Sequence, residues 1–489
     1  MADLFLNNFM GHSPRWYKLT ILGFLVINPF LLLLIGPFAT GWVILLQFIF
    51  TLAMALKCYP LLPGGLIALE TAFIGMVSPE VIYAETKTNF PVILLLMFMV
   101  AGIYFMKDFL AWLFTKILFS TRSKILLSVM FCFAGAFLSA WLDALTVIAV
   151  IIAVSVAFYQ IYNNASYHER VPGNMDDTAR ESIGKEDLEN YKGFLRNLLM
   201  HAAVGTALGG VSTLVGEPQN LLIGSIMGWS FQDFFLKMAH VSMPVLAAGL
   251  LTCVLVEALK ISGFGYQLPE RVREVIKKFA DEQDAKRTSA EKLNLWLMGA
   301  GAVWLVVALG LHIAEVGLIG LSVIIFLTTM TGKSEEHQIG KAFEEALPFT
   351  ALLVVFFAVV GMIHQQHLFD PISNWALSFS GEAQMDAFFI ASAILSAISD
   401  NVFVATIYIS EAQTAFTSGI IDRAQFDNLA IAINVGTNIP SVATPNGQAA
   451  FLFLLTSAIA GRIHLSYLEM IKLALPYTIV LSVVAYLFI

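Results

Sequence analysis

Long apolar runs, separated by short polar segments, dominate the hydropathy pattern of the chain. About eleven of them approach the roughly 20 residues that a helix needs to cross the hydrocarbon core of a membrane. They cover residues 19–38, 41–57, 61–77, 90–113, 196–227, 235–259, 293–313, 316–331, 346–364, 428–460 and 471–489. The pattern therefore predicts an all-α, polytopic membrane protein.

Two further apolar segments do not fit a single crossing. Residues 125–161 are too long for one span, and residues 385–410 carry a polar cluster in their middle. We interpret each segment as a re-entrant hairpin, which is tolerated at membrane depth only where protein or a water-filled cavity surrounds it. Both segments therefore indicate a transport pathway.

The positions of lysine and arginine predict the orientation in the membrane. With a cytoplasmic amino terminus and hairpins that return to their starting side, only Lys87, Lys237 and Arg423 lie outside. Most of the other lysines and arginines then lie inside, as the positive-inside rule requires. The charged segments 162–196 and 260–292 are predicted to be solvated cytoplasmic connectors.

Two blocks of sequence in the first half of the chain recur in the second half. Residues 139–147 (SAWLDALTV) match residues 396–404 (SAISDNVFV), in the middle of the two predicted hairpins. Residues 205–216 match residues 436–447 with the same internal spacing. Because an odd number of predicted spans separates the hairpins, the two halves are expected to have opposite orientations. Inverted repeats with broken elements are typical of secondary transporters.

The repeat predicts how the chain is organised around a common centre. The expected parts are amino-terminal helices (1–60), a first inverted repeat (61–259), a cytoplasmic loop (260–292), a linking helix (293–315) and a second inverted repeat (316–489). Each repeat contains one hairpin and one broken helix. The hairpins are 125–161 and 385–410, and the broken helices are 196–227 and 428–460.

The amino-acid composition agrees with this prediction and narrows the function. Of 489 residues, 58% are hydrophobic and 13% are charged, against roughly 45–50% and about 25% in soluble domains. The mean hydropathy is +0.79 and the net charge is −8, so we expect a chain in the lipid bilayer that binds no nucleic acid. A secreted enzyme is excluded as well.

The cysteines Cys58, Cys132 and Cys253 lie in or beside apolar runs. This placement predicts packed free thiols, not a disulfide framework, a metal site or a haem motif. The sequence contains no nucleotide-binding loop and no recognisable set of nucleophile, metal or cofactor residues. We therefore expect a protein that is not an enzyme, has no cofactor and is not coupled directly to ATP.

The ionisable groups deep within the repeats are all acids: Asp143, Glu217 and Asp400. The hairpin and broken-helix cores that hold them contain no lysine or arginine. A carboxylate in the bilayer costs several kcal/mol unless it is protonated, solvated or paired with a cation. The expected partners are therefore a proton or a metal ion such as sodium. The alternative is a structural acid that faces a water-filled cleft or, for Glu217 beside Pro218, holds a helix break.

Hydroxyl and amide groups that suit a small hard cation surround these acids. Helix breaks predicted at residues 213–220 and 440–448 would add free carbonyl groups and the negative ends of helix dipoles. Any single hydroxyl has the alternative role of a helix-packing group. The predicted cation- and proton-binding set is Asp143, Asp400, Asn401, Ser139, Ser396, Ser399, Thr213, Glu217, Asn220, Thr444, Asn446 and Gln448, with sodium assigned to Asp143, Asp400 and Asn401.

Other ionisable residues in the apolar segments are expected to be structural. Glu70 and Glu257 lie nearer to predicted helix ends, where a local pair is the preferred interpretation. The histidines have no ligand-like partner in the sequence, and pH sensing is the alternative role for them. They are His201, His312, His364 and His367.

Several stretches of the chain resemble one transporter family. Residues 53–64, 98–106, 205–220, 399–403 and 444–451 are similar to the NhaB-type sodium/proton antiporters of bacterial inner membranes. The similarity runs over nearly the whole chain. The family is related in fold to sodium-coupled dicarboxylate transporters, whose hairpin tips carry a Ser-Asn-Thr motif beside the sodium sites.

The resemblance implies positions for the acids and for the helix breaks. It places Asp143 and residues 399–401 at the hairpin tips, and residues 213–220 and 444–448 at unwound helices. Related transporters with this architecture are dimers, so a homodimer is implied.

Two features of the sequence depart from the related proteins. Residues 142–144 (LDA) and 399–401 (SDN) replace Ser-Asn-Thr, which exchanges neutral ligands for proton-binding ones and puts a carboxylate substrate in doubt. The chain ends at Ile489, directly after the last predicted span. Related antiporters are expected to continue further, so we expect a shortened carboxyl terminus.

The sequence thus predicts a secondary antiporter that exports sodium, with lithium as a further cargo, in exchange for protons. Asp143 and Asp400 would bind protons or the cation in competition, in a site that faces one side at a time. A sodium-coupled symporter of a dicarboxylate or an inorganic oxyanion is the alternative, because helix amino termini bind anions without lysine or arginine. The clustered acidity favours the antiporter, and a passive channel is a weaker third interpretation.

Overall fold

The computed structural model describes residues 2–168 and 177–489, and within these ranges the regular structure is entirely helical. The first helices are α1 (Ala2–Asn8), α2 (Arg15–Ala53), α3 (Leu61–Phe73), α4 (Pro79–Thr88), α5 (Phe90–Tyr104), α6 (Lys107–Ser120), α7 (Lys124–Ser139) and α8 (Ala144–His168). They are followed by α9 (Asp177–Gly210), α10 (Pro218–Met227), α11 (Phe231–Leu259), α12 (Glu270–Lys286), α13 (Ser289–Gly310), α14 (Val316–Thr331) and α15 (Glu336–Gln365). The last are α16 (Asp370–Leu377), α17 (Glu382–Ile398), α18 (Asn401–Thr417), α19 (Arg423–Asn438), α20 (Ala449–Thr456), α21 (Ala458–Arg462) and α22 (Tyr467–Phe488), with a 3₁₀ turn at Pro440–Ala443.

Among the described residues, six helical segments are long and apolar enough to cross a membrane. They are Arg15–Ala53, Ala144–Tyr162, Phe231–Leu259, Ser289–Gly310, Ala346–Gln365 and Tyr467–Phe488. Helices α4 and α5 are bent by 56° relative to each other and form one more span if they are taken together. The count of about eleven from the sequence is larger because it includes shorter helices, such as α3 and α14, and helices that are broken. The prediction of an all-α polytopic membrane protein with broken helices is confirmed.

Helix α2 supplies two predicted spans because it folds back on itself. Gly36, followed by Pro37, has a φ of 77° and a ψ of 172°, which interrupt the helix. The side-chain amides of Asn28 and Gln47 exchange two hydrogen bonds of 2.8 Å. These residues would stand about 28 Å apart in a straight helix. The left-handed φ explains why glycine occupies the turn.

Two sequence-based boundaries need correction. The predicted span 90–113 is divided at Phe105 and Met106 into α5 and α6. The predicted connector 260–292 contains α12, whose Val272 and Ile276 are buried in a helix that packs against α8. The connector 162–196 continues α8 and contains the start of α9, apart from residues 169–176, which lie outside the described residues. The sequence missed this packing of α12, because an apolar stripe of two residues is too narrow to stand out among so many charges.

Pairs of helices joined by short turns and two interrupted helices lie where the repeat placed the hairpins and the broken helices. Residues 140–143 join α7 to α8, and residues 399–400 join α17 to α18. Residues 211–217 interrupt the path from α9 to α10, and residues 439–448 interrupt the path from α19 to α20. The first break begins and ends slightly earlier than predicted, because Pro218 already starts α10.

The broken helices form the buried centre of the protein. Residues 197–224 and 429–442 are buried throughout. Helix α7 packs along α9, and α17 packs along α19. Gly205 and Gly209 of α9 permit the first of these contacts, because a side chain at either position would overlap the backbone of α7.

The two halves also meet in a reciprocal way. Helix α8 contacts α20 of the other half, and α18 contacts α10. Each hairpin therefore lies against its own broken helix and against the far end of the other one. The division of the chain into repeats at 61–259 and 316–489 stays a prediction.

Candidate functional site

Each hairpin tip ends in an aspartate that caps the following helix. Asp143 Oδ2 accepts hydrogen bonds from the backbone N–H of Thr146 at 3.2 Å and from its hydroxyl at 3.4 Å. Asp400 Oδ1 accepts from the N–H groups of Val402 at 2.9 Å and Phe403 at 3.3 Å. The amino terminus of a helix favours a negative charge, so both tips stabilise an ionised carboxylate.

Each tip is tied to the break of its own half by the same hydrogen bond. Thr213 Oγ1 donates to the Ala140 carbonyl oxygen at 2.6 Å, and Thr444 Oγ1 donates to the Ala397 carbonyl oxygen at 2.5 Å. The two threonines and the two alanines are equivalent positions of the sequence repeat. The two halves therefore repeat the same hydrogen bond between the same pair of atoms. It sets the tip of a hairpin against the unwound part of a helix.

Glycines allow these unwound segments to approach closely. A Cβ atom on Gly447 would stand 2.6 Å from the Ser396 carbonyl oxygen, and one on the equivalent Gly216 would overlap the Gly210 carbonyl oxygen. The N–H of Ala144, the first residue of α8, also points to the Gly216 carbonyl oxygen at 3.4 Å. At the first tip a backbone carbonyl group of the break thus faces the hairpin. Such groups are suitable ligands for a hard cation.

Three buried or half-buried carboxylates lie in this region of the protein. Glu217 is 3% exposed, and Asp143 and Asp400 both lie close enough to act on it electrostatically. Glu217 Oε1 is buried and has no hydrogen-bond partner in the described part of the chain. No group of three His, Cys, Asp or Glu side chains converges on one point within the described residues. The arrangement therefore differs from a transition-metal centre, in which such side chains supply most ligands.

Further buried oxygens near the tips lack a hydrogen-bond partner among the described residues. They are Ser139 Oγ, Gln219 Oε1, Ser399 Oγ and Gln448 Oε1. All four side chains belong to fully buried residues. A buried polar atom without a partner costs about 1–3 kcal/mol, so these oxygens are well suited to a cation that satisfies them. Ser139, Ser399 and Gln448 were predicted from the sequence.

The second tip carries more neutral oxygen atoms than the first. Ser396 Oγ lies 2.7 Å from Asn401 Oδ1 and 2.7 Å from the Thr437 carbonyl oxygen. At the positions of Ser399 and Asn401, the first tip has leucine and alanine. Asn446 is half-buried, and its side chain forms no hydrogen bond within the described residues. The predicted residues thus lie at the two tips, in the two breaks and at the helix ends beside them, and their part in ion binding stays a prediction.

An amide network that the sequence analysis missed joins the two breaks. Gln219 Nε2 donates to Asn438 Oδ1 at 2.9 Å, and Asn438 Nδ2 donates to Asn220 Oδ1 at 3.1 Å. Asn220 Nδ2 donates in turn to the carbonyl oxygens of Gly210 and Thr213, both at 2.6 Å. The signal in the sequence was an asparagine within an otherwise apolar segment, which is costly in a membrane unless it is hydrogen-bonded.

A second buried polar group, here named the basal cluster, lies between α7, α9, α11 and α22. It consists of Lys124, Ser128, His201, Glu257 and Tyr477. Glu257 Oε1 lies 2.6 Å from Lys124 Nζ, 3.1 Å from Ser128 Oγ and 2.7 Å from His201 Nε2. His201 Nδ1 lies 2.7 Å from the hydroxyl of Tyr477. The interpretation of Glu257 as part of a local pair was wrong, whereas a structural role for His201 is consistent with these hydrogen bonds.

Two more sequence-based interpretations change with the structure. Glu70 Oε2 accepts a hydrogen bond of 2.7 Å from Asn28 Nδ2, a residue 42 positions away, so it is not part of a local pair. His364 Nδ1 lies 2.8 Å from Glu85 Oε1. In each case the partner comes from another helix, which no local pattern reveals. The three cysteines are free thiols, as predicted.

Comparison with known proteins gives one consistent result. Residues 1–489 match the model of a family described as bacterial Na+/H+ antiporter B (NhaB). The Na(+)/H(+) antiporter NhaB of Pseudomonas entomophila (strain L48) is 60% identical over 97% of this chain and 96% of that protein. Those of Vibrio atlanticus (strain LGP32) and Teredinibacter turnerae (strain ATCC 39867 / T7901) are 58% and 59% identical, each over 99% of this chain and over 92% and 97% of their own lengths.

Proposed function

The chain belongs to the NhaB family of bacterial Na+/H+ antiporters, and from this membership and the geometry of the hairpin tips we propose how it exchanges Na+ for H+. It is a multi-pass protein of the bacterial inner membrane that moves sodium out of the cytoplasm while protons move inward. Lithium is a second cargo of the same kind. The observation that carries the proposal is the pair of aspartates, Asp143 and Asp400, that cap α8 and α18 at equivalent hairpin tips.

Competition for the same carboxylates couples the two ions. Asp143 and Asp400 are buried or half-buried, and no lysine, arginine or histidine among the described residues forms an ion pair with either of them. A proton or a sodium ion can each neutralise such a carboxylate, but not both at once. Release of sodium on one side therefore favours uptake of a proton on that side.

The sodium ligands in this proposal come from side chains and backbone together. Carboxylate oxygens of Asp143 and Asp400 supply charge, and the carboxamide of Asn401 adds a neutral oxygen. The unpartnered hydroxyl groups of Ser139 and Ser399 and the carbonyl groups of the breaks complete the shell. Access alternates as the tips and the breaks move relative to the remaining helices.

The symporter alternative is less consistent with the tips. An anion would bind most readily at the amino termini of α8 and α18, because the first N–H groups of a helix have no partner within the helix. These positions are already taken by the carboxylates of Asp143 and Asp400. An anionic substrate would therefore meet negative charge at both tips.

Sodium-driven proton movement in proteoliposomes loaded with a pH-sensitive dye tests the proposal. Addition of sodium without any other solute is expected to move protons in the native protein. The variants Asp143→Asn and Asp400→Asn are expected to lose most of this flux. Asp281→Asn, on the exposed surface of α12, is the matched control. Flux that appears only after a dicarboxylate or an oxyanion is added would show a symporter instead.

A further inference from the structure

The basal cluster is distant from the hairpin tips. Lys124 precedes Ser139 by 15 residues on α7, and His201 precedes Thr213 by 12 residues along α9 and its break. At 1.5 Å per residue, these separations correspond to about 22 Å and about 18 Å. The cluster therefore belongs to the opposite end of α7 from the tip that carries Asp143, and the exchange reaction does not use it directly.

The two oxygens of Glu257 have very different surroundings. Oε1 faces Lys124, Ser128 and His201. Oε2 is buried and has no hydrogen-bond partner in the described part of the chain. The carboxyl group thus has one oxygen that is saturated with donors and one that is available for a proton.

The hydrogen-bond network shows which atoms of the cluster carry protons in this structure. We call this arrangement, with Lys124 bonded to Glu257, the closed form. Lysine can only donate, so Glu257 accepts from Lys124 as a carboxylate. His201 then donates from Nε2 to Glu257 and accepts the hydroxyl hydrogen of Tyr477 at Nδ1. In this form the charges of Lys124 and Glu257 cancel, and His201 is neutral.

One additional proton gives the cluster a net charge of +1, whichever group it binds. If it binds Glu257 Oε2 or His201 Nδ1, the cluster has a net positive charge. The side chains of Lys124, Glu257 and His201 are 9%, 1% and 0% exposed. An uncompensated charge in such a place costs several kcal/mol.

Separation of α7 from α11 would relieve this cost. Lys124 is the first residue of α7, and the two preceding residues, Arg122 and Ser123, are exposed. A small outward movement of this end of α7 would bring the ammonium group of Lys124 into water.

We propose that the basal cluster is an additional proton-binding site, and that a proton bound there releases the Lys124 end of α7 from α11. Because α7 is the first arm of the hairpin that ends at Asp143, this release changes the rate of exchange. The effect on exchange rests on the proposed function, whereas the release of α7 is measured without it.

The groups that surround the site are few, and each packed element contributes. Helix α7 presents Lys124 and Cys132, α9 presents His201, α11 presents Glu257 and Cys253, and α22 presents Tyr477. Cys253 Sγ lies 3.5 Å from His201 Nδ1. The ring of Phe264 stacks on His201 at 4.6 Å and closes the remaining side.

Two native thiols report on the separation of α7 and α11. Cys132 of α7 and Cys253 of α11 are 0% exposed and lie near each other in the contact between these helices. With Cys58 replaced by serine, their modification by N-ethylmaleimide can be followed by mass spectrometry between about pH 5 and pH 8. Free thiols react more slowly as the pH falls, since the thiolate is the reactive form. The proposal predicts the opposite, a rise in modification of both thiols on acidification.

Two variants in the same background separate proton binding from a general loosening. Glu257→Gln leaves Lys124 without a counter-charge, so α7 is expected to be released at every pH and both thiols to react as free thiols do, more slowly as the pH falls. Lys124→Met combined with Glu257→Gln removes both charges, so modification is expected to be low at every pH, as in the closed form. The double variant keeps the test decisive if the single variant does not fold.

The outcomes distinguish this proposal from the proposed function. The double variant is also expected to lose the acidic limb of the pH profile of sodium-driven proton flux. Modification in the native chain that decreases on acidification as it does for a free thiol, or a double variant whose modification still rises on acidification, would overturn the basal cluster as a proton site. Absence of any sodium-driven flux in the native chain would instead overturn the antiport, while the thiol measurement would still stand.

Discussion

Glu217 and Gln448 occupy equivalent positions in the two halves of the chain, one as an acid and the other as its amide. Each is the residue before a short helix, α10 or α20, and neither side chain caps that helix. Gln448 Nε2 donates to Ser441 Oγ at 3.0 Å, whereas Glu217 lies against Gly210, the equivalent of Ser441. The two halves therefore share a framework but differ in charge.

The variant Glu217→Gln makes the first half resemble the second and removes one of three carboxylates. A unit charge about 8 Å from a cation contributes about 2 kcal/mol at an effective dielectric constant of about 20. The KM for sodium is therefore expected to rise roughly 30-fold. Sodium-driven proton flux in proteoliposomes measures it, with the exposed Glu336→Gln as control. An unchanged KM would show that Glu217 only holds the helix break.

Gly447→Ala tests the close approach at the second tip. The added methyl group would stand 2.6 Å from the Ser396 carbonyl oxygen, so the break must move away from the hairpin. We expect a loss of most of the exchange rate, while the protein still inserts into the membrane. Gly461→Ala is the matched control, because a Cβ there meets nothing within 4 Å. Equal rates for both variants would contradict the close contact.

Thr213→Val and Thr444→Val remove the hydrogen bonds that tie the tips to the breaks. Each leaves a half-buried carbonyl oxygen without its donor, at a cost of about 1 kcal/mol. Both variants are expected to lower the exchange rate to a similar extent, since the two bonds are equivalent in the repeat. Serine at either position restores the hydroxyl and is expected to restore the rate. Initial flux rates at saturating sodium measure the effect, and a change in only one variant would refute the equivalence.

Sodium is expected to stabilise the purified protein against heat. A ligand at a hundredfold excess over its Kd adds about 2.7 kcal/mol to the free energy of unfolding. The thermal midpoint in detergent is therefore expected to rise with sodium and lithium and to respond less to potassium at the same ionic strength. Asp400→Asn is expected to lose this rise. A midpoint that depends on ionic strength alone would argue against a sodium site at the tips.

The sequence predicted the parts of the site that repeat. The matching blocks around Asp143 and Asp400 located both hairpin tips, and glycine and proline located both breaks within a few residues. These features were accessible because turns and breaks at membrane depth need particular residues at particular positions. The hydrogen bond from Thr213 to Ala140 follows the same repeat.

Contacts between helices that are distant along the chain could not be predicted from the sequence. Glu257 lies 133 positions from Lys124, and Glu70 lies 42 positions from Asn28. Both acids looked like members of local pairs because a helix pattern reports only neighbours three or four residues away. The partners depend on which helices pack together, and this is decided by the whole fold.

The link between the two breaks is made of carboxamides alone. Gln219, Asn220 and Asn438 carry no group that gains or loses a proton at physiological pH. Their hydrogen bonds therefore persist through every ionisation state of the nearby acids. The two unwound segments are expected to move as one rigid unit with the hairpin tips bound to them, so the moving boundary lies between this unit and the remaining helices.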